Sequence, residues 1–231
     1  RFGYNLTSNW AYTNTLGNYS TAADLLGVVG TVRGMAVKDG KILFIDRTNK
    51  QIIIVNGTTG IKETPLKLSD NFFTYTGKNK AGTLDSLWTA GVLTHDDIQV
   101  DDAGNVLISN LVNMDPGTNK RRFQIWVANM TDGSGKLLID SQMDQLFTTA
   151  NIRFDAFGIW GDINKHAVIM AVNANSMEVY KWIIDNGVAA NPTLIEVDNS
   201  GEYWFQTKTD TGYPVLANPG SAPRVLPLDD D

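Results

Sequence analysis

The chain has 231 residues, 42% of them hydrophobic, enough for a sizeable buried core, and no run reaches the roughly 18 apolar residues of a membrane span. A formal net charge of −6 argues against the basic face that nucleic acid or an anionic membrane surface would need. The absence of cysteine excludes a disulfide framework and cysteine-based zinc sites or nucleophiles, while 21 glycines among many Asn, Asp and Thr favour a turn-rich strand protein.

In chain order, Asn9 to Thr13 is expected to be an outer strand of a preceding unit. Met35 to Val37 then alternates into the tight-turn sequence Lys38-Asp39-Gly40. Ile42 to Ile45 reads as a second strand, Ile52 to Val55 as a third, and Pro65 to Ser69 as a fourth, each separated by a polar turn. The pattern recurs with Ile98 to Val100, Val106 to Ile108, Phe123 to Ala128 and Lys136 to Ile139. A third copy runs through Phe157 to Ile159, Ala167 to Val172, Val179 to Ile184 and Thr193 to Val197. The fourth strands resemble one another: TPLKLSD, SGKLLIDS and NPTLIEVDN.

Val37, Val100, Ile159 and Leu228 hold equivalent places in the four copies of "first strand, turn", at a period of roughly sixty residues, longer than the 40–50 of common propeller repeats. Long links such as Asn71 to Leu93 account for the difference. Four antiparallel strands per repeat predict an all-β, β-propeller-like stack of blades, each too thin to bury its own faces and covered by its neighbours. The units fall near 33–70, 96–141 and 155–199, with another starting at 224–231, in a single region spanning 1–231. A β-sandwich with chance self-similarity is the competing architecture. Trp126 and Trp182 stand in equivalent third strands, where the first copy has Ile54, and are expected to pack between blades. About three and a half blades do not close a ring. The expectation is therefore a part of a longer protein, or pairing with a further segment or a second chain.

The stretch RGMAVKDGKILFIDRTNKQIIIVNGTTG, preceded by SNWAYTNTLGNYS, resembles the repeats of uncharacterised propeller-like proteins of Bacteroidetes, assigned to domain-of-unknown-function families. The resemblance is strongest over residues 9–60. It implies the fold and a secreted or lipid-anchored, extracytoplasmic location, and it carries over no catalytic residue.

Chemistry is sparse in this sequence. Its two histidines, His95 and His166, fall at different ends of their units, and no zinc, serine-hydrolase or phosphate-loop motif is present. Asp96, Asp97, Asp101 and Asp102 cluster without the spacing of an EF-hand. No cofactor is therefore expected, with calcium at these carboxylates as the alternative, and Asp101 and Asp102 read first as turn residues. Four positions before the repeat anchors stand Arg33, Asp96, Asp155 and Arg224. All are charged and all sit where a first strand begins. They predict a charged channel rim that holds a polar ligand or ion, with ordinary solvated strand ends or Arg–Asp pairing between neighbouring blades as the alternative. Phe72, Phe73, Tyr75, Tyr203 and Trp204 form a candidate aromatic platform in the connecting loops.

The function this supports is a non-catalytic binding or scaffold module at the cell surface or in the periplasm, with a glycan or a partner protein as ligand. The alternative is a carbohydrate-active hydrolase or lyase, or a metal-assisted lactonase-like propeller. Fold alone does not choose between them.

Overall fold

The computed structural model describes residues 32–74, 77–78, 84–85, 93–112, 122–143, 152–174, 178–196, 207–208, 214–215 and 225–229. The protein is all-β. Three antiparallel sheets of four or five strands carry it, and none closes into a barrel. The first sheet takes β1 (Val32–Lys38), β2 (Lys41–Asp46), β3 (Gln51–Asn56) and β4 (Leu66–Lys67) in chain order. Two short pairs follow the same antiparallel logic: β5 (Gly77–Lys78) with β6 (Leu84–Asp85), and β16 (Thr207–Lys208) with β17 (Pro214–Val215). The second sheet takes β7 (Asp97–Val100), β8 (Val106–Ser109), β9 (Arg122–Ala128) and β10 (Gly135–Gln142). The third takes β11 (Gly158–Asp162), β12 (His166–Val172) and β13 (Glu178–Asp185), with β14 (Val188–Ala189) and β15 (Thr193–Glu196) both paired to β13.

Local chemistry explains the turns. Lys38 pairs with Lys41 across Asp39 and Gly40, whose φ angles of 48° and 72° are those of a two-residue hairpin matched to strand twist. Asn186 and Gly187, at 50° and 78°, do the same between β13 and β14. That turn is why the third sheet departs from the expected four strands. It folds the chain back on the end of β13 before the Thr193 run can pair with its beginning.

Strand alternation sends successive side chains to opposite faces, and in the second sheet both faces are covered. Ala36, Leu43, Ile45 and Ile52 of the first sheet pack with Ile98, Val106, Ile108 and Trp126 of the second. Leu107, Phe123, Ile125 and Ile139 of the second pack with Ala167, Ile169, Tyr180 and Trp182 of the third. The middle sheet thus lies between two cores, and its strand β8 is buried at every residue. That is why Val106-Leu107-Ile108 is a continuous apolar run rather than an alternation. Trp126 and Trp182 each face the preceding sheet, as their shared position predicts. The first copy is one residue out of register with that expectation. Ile54 packs toward the second sheet, while Ile53 lies on the other face with Val55.

The first strands of the three sheets lie side by side. Gly34 of β1 abuts β7 so closely that a Cβ there would stand 2.5 Å from the Ile98 nitrogen. The Phe157 amide, just before β11, donates to Asp97 Oδ2 at 3.1 Å. At the far ends of these strands a second belt connects the turns. Lys38 Nζ donates to the Gly104 carbonyl at 2.7 Å, and the Gly161 and Ile163 amides donate to Asp102 Oδ2 and Asp101 Oδ2. Residues 225–228, expected as another first strand, pass Gly158 of β11 in close backbone contact but form no strand. Pro227 has no N–H to give to a ladder. Among the described residues no helix is long and apolar enough to cross a membrane.

Candidate functional site

The starts of the three first strands hold a cluster of charged side chains. Arg33 lies in β1, within the irregular pairing between Val32 and Met35. Asp96 immediately precedes β7, and Asp155 stands three residues before β11. Because β1, β7 and β11 are neighbours, these three residues, widely separated in sequence, converge. Arg33 Nε is 3.7 Å from Asp96 Oδ1, and Arg33 Nη2 donates to Asp155 Oδ1 at 3.4 Å. The repeat alignment therefore brings together three of its four charged positions, with Arg33 of the first sheet pairing both Asp96 beside the second and Asp155 beside the third. Arg224 lies outside the described residues.

Two further arginines complete the cluster. Arg47, in the turn between β2 and β3, pairs with Asp96 Oδ1. Arg153 grips Asp155 with both prongs, Nε to Oδ2 and Nη2 to Oδ1, each at 2.7 Å. The result is an alternating chain, Arg47–Asp96–Arg33–Asp155–Arg153. Both aspartate side chains are fully buried, whereas those of Arg33, Arg47 and Arg153 are 33%, 17% and 25% exposed. Negative charge therefore lies beneath and positive charge outward. Burial lowers the Arg47 pKa, and the nearby Arg33 charge lowers it further, partly offset by Asp155. The hydrogen bonds to Asp155 raise that of Arg153. The Arg47 Nε and Asp96 Oδ2 atoms are buried and make no hydrogen bond. Arg47 and Arg153 escape the repeat alignment because neither occupies an aligned position. Two signals point to them: in an antiparallel meander the turn between the second and third strands lies at the end where the first strand begins, which puts Arg47 there, and Arg153 and Asp155 are two apart.

Next to Asp96 in the chain, His95 lies in a buried aromatic group. Phe72 and Phe73 are 5% and 2% exposed, so they are not an open stacking platform. Their loop turns them inward, against Trp126 at 5.5 and 6.2 Å between ring centroids and against His95 at 5.9 and 4.9 Å. Tyr75, Tyr203 and Trp204 lie outside the described residues. His95 is 2% exposed, its Nδ1 2.9 Å from Thr94 Oγ1 and its Nε2 without a partner. Burial, then the Lys50 and Arg47 charges, push its pKa down to about 4, so the ring is neutral at pH 7.

The acidic run is divided by β7. Asp96 joins the arginines at one end. At the other, Asp101 accepts from the amides of Ala103, Asn105 and Ile163 and from Asn105 Nδ2, which makes it a turn residue that also fastens the third sheet. Among the described residues no group of three or more His, Asp or Glu side chains is placed to hold a metal ion. His166 pairs with Asp185 at 2.6 Å on an exposed hairpin, away from His95.

Residues 47–218 match the model of a family described as Domain of unknown function (DUF8500). Among solved structures, the chain is similar to a DUF4623 family protein from Bacteroides eggerthii DSM 20697, at 17% identity and a TM-score of 0.45, over 73% of this chain and 36% of that one. It is also similar to Kuenenia stuttgartiensis hydrazine synthase, at 9% identity and a TM-score of 0.34, over 79% of this chain and 53% of that one. The chain thus spans well under two thirds of either. No curated protein sequence matches it.

Proposed function

Because the chain belongs to the DUF8500 family, whose function is not assigned, we propose a role from geometry: a non-catalytic binding or scaffold module on a β-propeller-like stack of blades, acting outside the cytoplasm on a glycan or a partner protein. The observation that carries it is the Arg47–Asp96–Arg33–Asp155–Arg153 chain, polar, partly exposed and held by three sheets at once. Rigid elements placing charged groups at one rim suit recognition. The propeller-like reading draws support from three meandering sheets stacked face to face with their first strands adjacent. Further blades, or a second chain, would complete such a ring.

The enzyme alternative rests on one observation: two carboxylates converge beside a histidine. Both carboxylates are held by arginines, and His95 is turned inward among phenylalanines, so none is free to shuttle protons. A glycan-array screen of the chain, with a pull-down from the source organism's cell-surface fraction, tests the binding role. Retention that falls on substituting Arg33 supports it, and silence in both assays sinks it.

A further inference from the structure

At this rim three guanidiniums meet the carboxylates of Asp96 and Asp155, and the Asp97 carboxylate lies close by, its Oδ1 2.6 Å from where a Gly34 Cβ would stand. The distribution is vertical, with the aspartates fully buried and the arginines reaching the surface. Arg33 is the least committed member. Its contacts of 3.7 and 3.4 Å are longer than the roughly 2.7–2.9 Å of a strong charge-assisted bond, whereas Arg153 achieves 2.7 Å twice. Arg33 and Arg47 share the same oxygen of Asp96, which brings two like charges together. An anion placed over Arg33 would relieve that repulsion and take up its spare donors.

From these contacts we infer that the rim binds a single carboxylate, that of a uronic-acid sugar, with Arg33 as the principal donor. This rests on the binding-module reading and names its ligand class. The planar guanidinium fork matches a carboxylate in both spacing and charge. The acidic chain repels polyanions such as acidic peptide runs or sulfated chains, which favours a ligand with one carboxylate. A peptide C-terminus would need an apolar socket for its last side chain, but Phe72 and Phe73 are closed to solvent. Thr48, Asn49 and Lys50 lie exposed in the turn that carries Arg47, and the Thr48 hydroxyl and the Asn49 Oδ1, whose Nδ2 is held by Asp46, suit sugar hydroxyls.

Isothermal titration of the 231-residue chain with glucuronate at low ionic strength tests this, with glucose, N-acetyl-dialanine and tetra-aspartate as comparison ligands. Glucuronate is expected to bind and glucose not. Arg33→Gln should weaken glucuronate at least tenfold, and Arg33→Lys by less, with melting temperatures recorded for each. Asp155→Asn removes one buried negative charge and releases donors of Arg33 and Arg153, so it should tighten binding severalfold, a gain that misfolding cannot mimic. Glucuronate behaving like glucose on the unmodified chain overturns the inference. So does an affinity indifferent to Arg33→Gln, or tighter binding of either peptide ligand. Retention of neutral glycans on the array without glucuronate binding overturns the carboxylate assignment alone. Silence in every assay removes the binding module with it.

Discussion

His95 should make this protein acid-sensitive well above the pH at which carboxylates protonate. Its ring is buried against Phe72 and Phe73, near the charges of Lys50 and Arg47, and its pKa is held at about 4 against an ordinary 6.5. Because the folded state binds the proton less readily, the unfolded chain is favoured as pH falls. The contribution is fully present above pH 6.5, is lost progressively as pH drops, and is gone below about 4. Linkage gives a loss of about 2 kcal/mol by pH 5 and about 3 kcal/mol by pH 4. Urea denaturation at steps from pH 7.5 to 4.5 should show the midpoint falling along that curve. His95→Asn keeps a residue that tolerates the positive φ of 55° and removes the titration. Its stability should be lower at pH 7.5 but nearly level down to pH 4.5. The lowered carboxylates, Asp132 and Asp162, start from 3.8 and so act below this window. By NMR the His95 ring should titrate with a midpoint near 4. A variant that loses stability as steeply as the unmodified chain would refute the reasoning.

Gly34→Ala would put a Cβ 2.5 Å from the Ile98 nitrogen and 2.9 Å from the Asp97 Cα, forcing β1 and β7 apart. The cost should be about 1–3 kcal/mol, or some 2–4 °C of Tm per kcal/mol at this size, and a change under about 0.5 kcal/mol by thermal melting would contradict the close approach. Trp182→Ala removes a fully buried ring that packs on Phe123 and donates to Ser141 Oγ at 2.9 Å. Denaturant unfolding should report a loss of about 3–5 kcal/mol. Asp101→Ala strips four hydrogen bonds and leaves the Ile163 amide unpaired, with an expected cost of about 2–3 kcal/mol and faster hydrogen exchange at Ile163.

The strands were legible because their signals are local. Period-two alternation, apolar runs and Asp-Gly or Asn-Gly turns lie within a few residues of what they determine, so most strands of the three units appear where the sequence places them, while β14 is added to the third and residues 225–228 form no strand. The spacing between copies also predicted that Arg33, Asp96 and Asp155 are equivalent, and equivalence in stacked sheets means proximity. The aromatic residues mark where such reasoning stops. "NFFTYTGKN" looks like an exposed loop until the chain turns Phe72 and Phe73 under His95 and Trp126, and no local pattern encodes that direction.

Most strands and the repeating positions follow from neighbours a few residues away, which is why they can be read from the chain alone. Tertiary structure alone decided that Arg47 and Arg153 join the aligned charges, that Ile53 rather than Ile54 matches the tryptophans, and that the aspartates are buried while the arginines reach water. Those outcomes depend on which faces of separate sheets meet, a matter of packing between segments far apart in the chain.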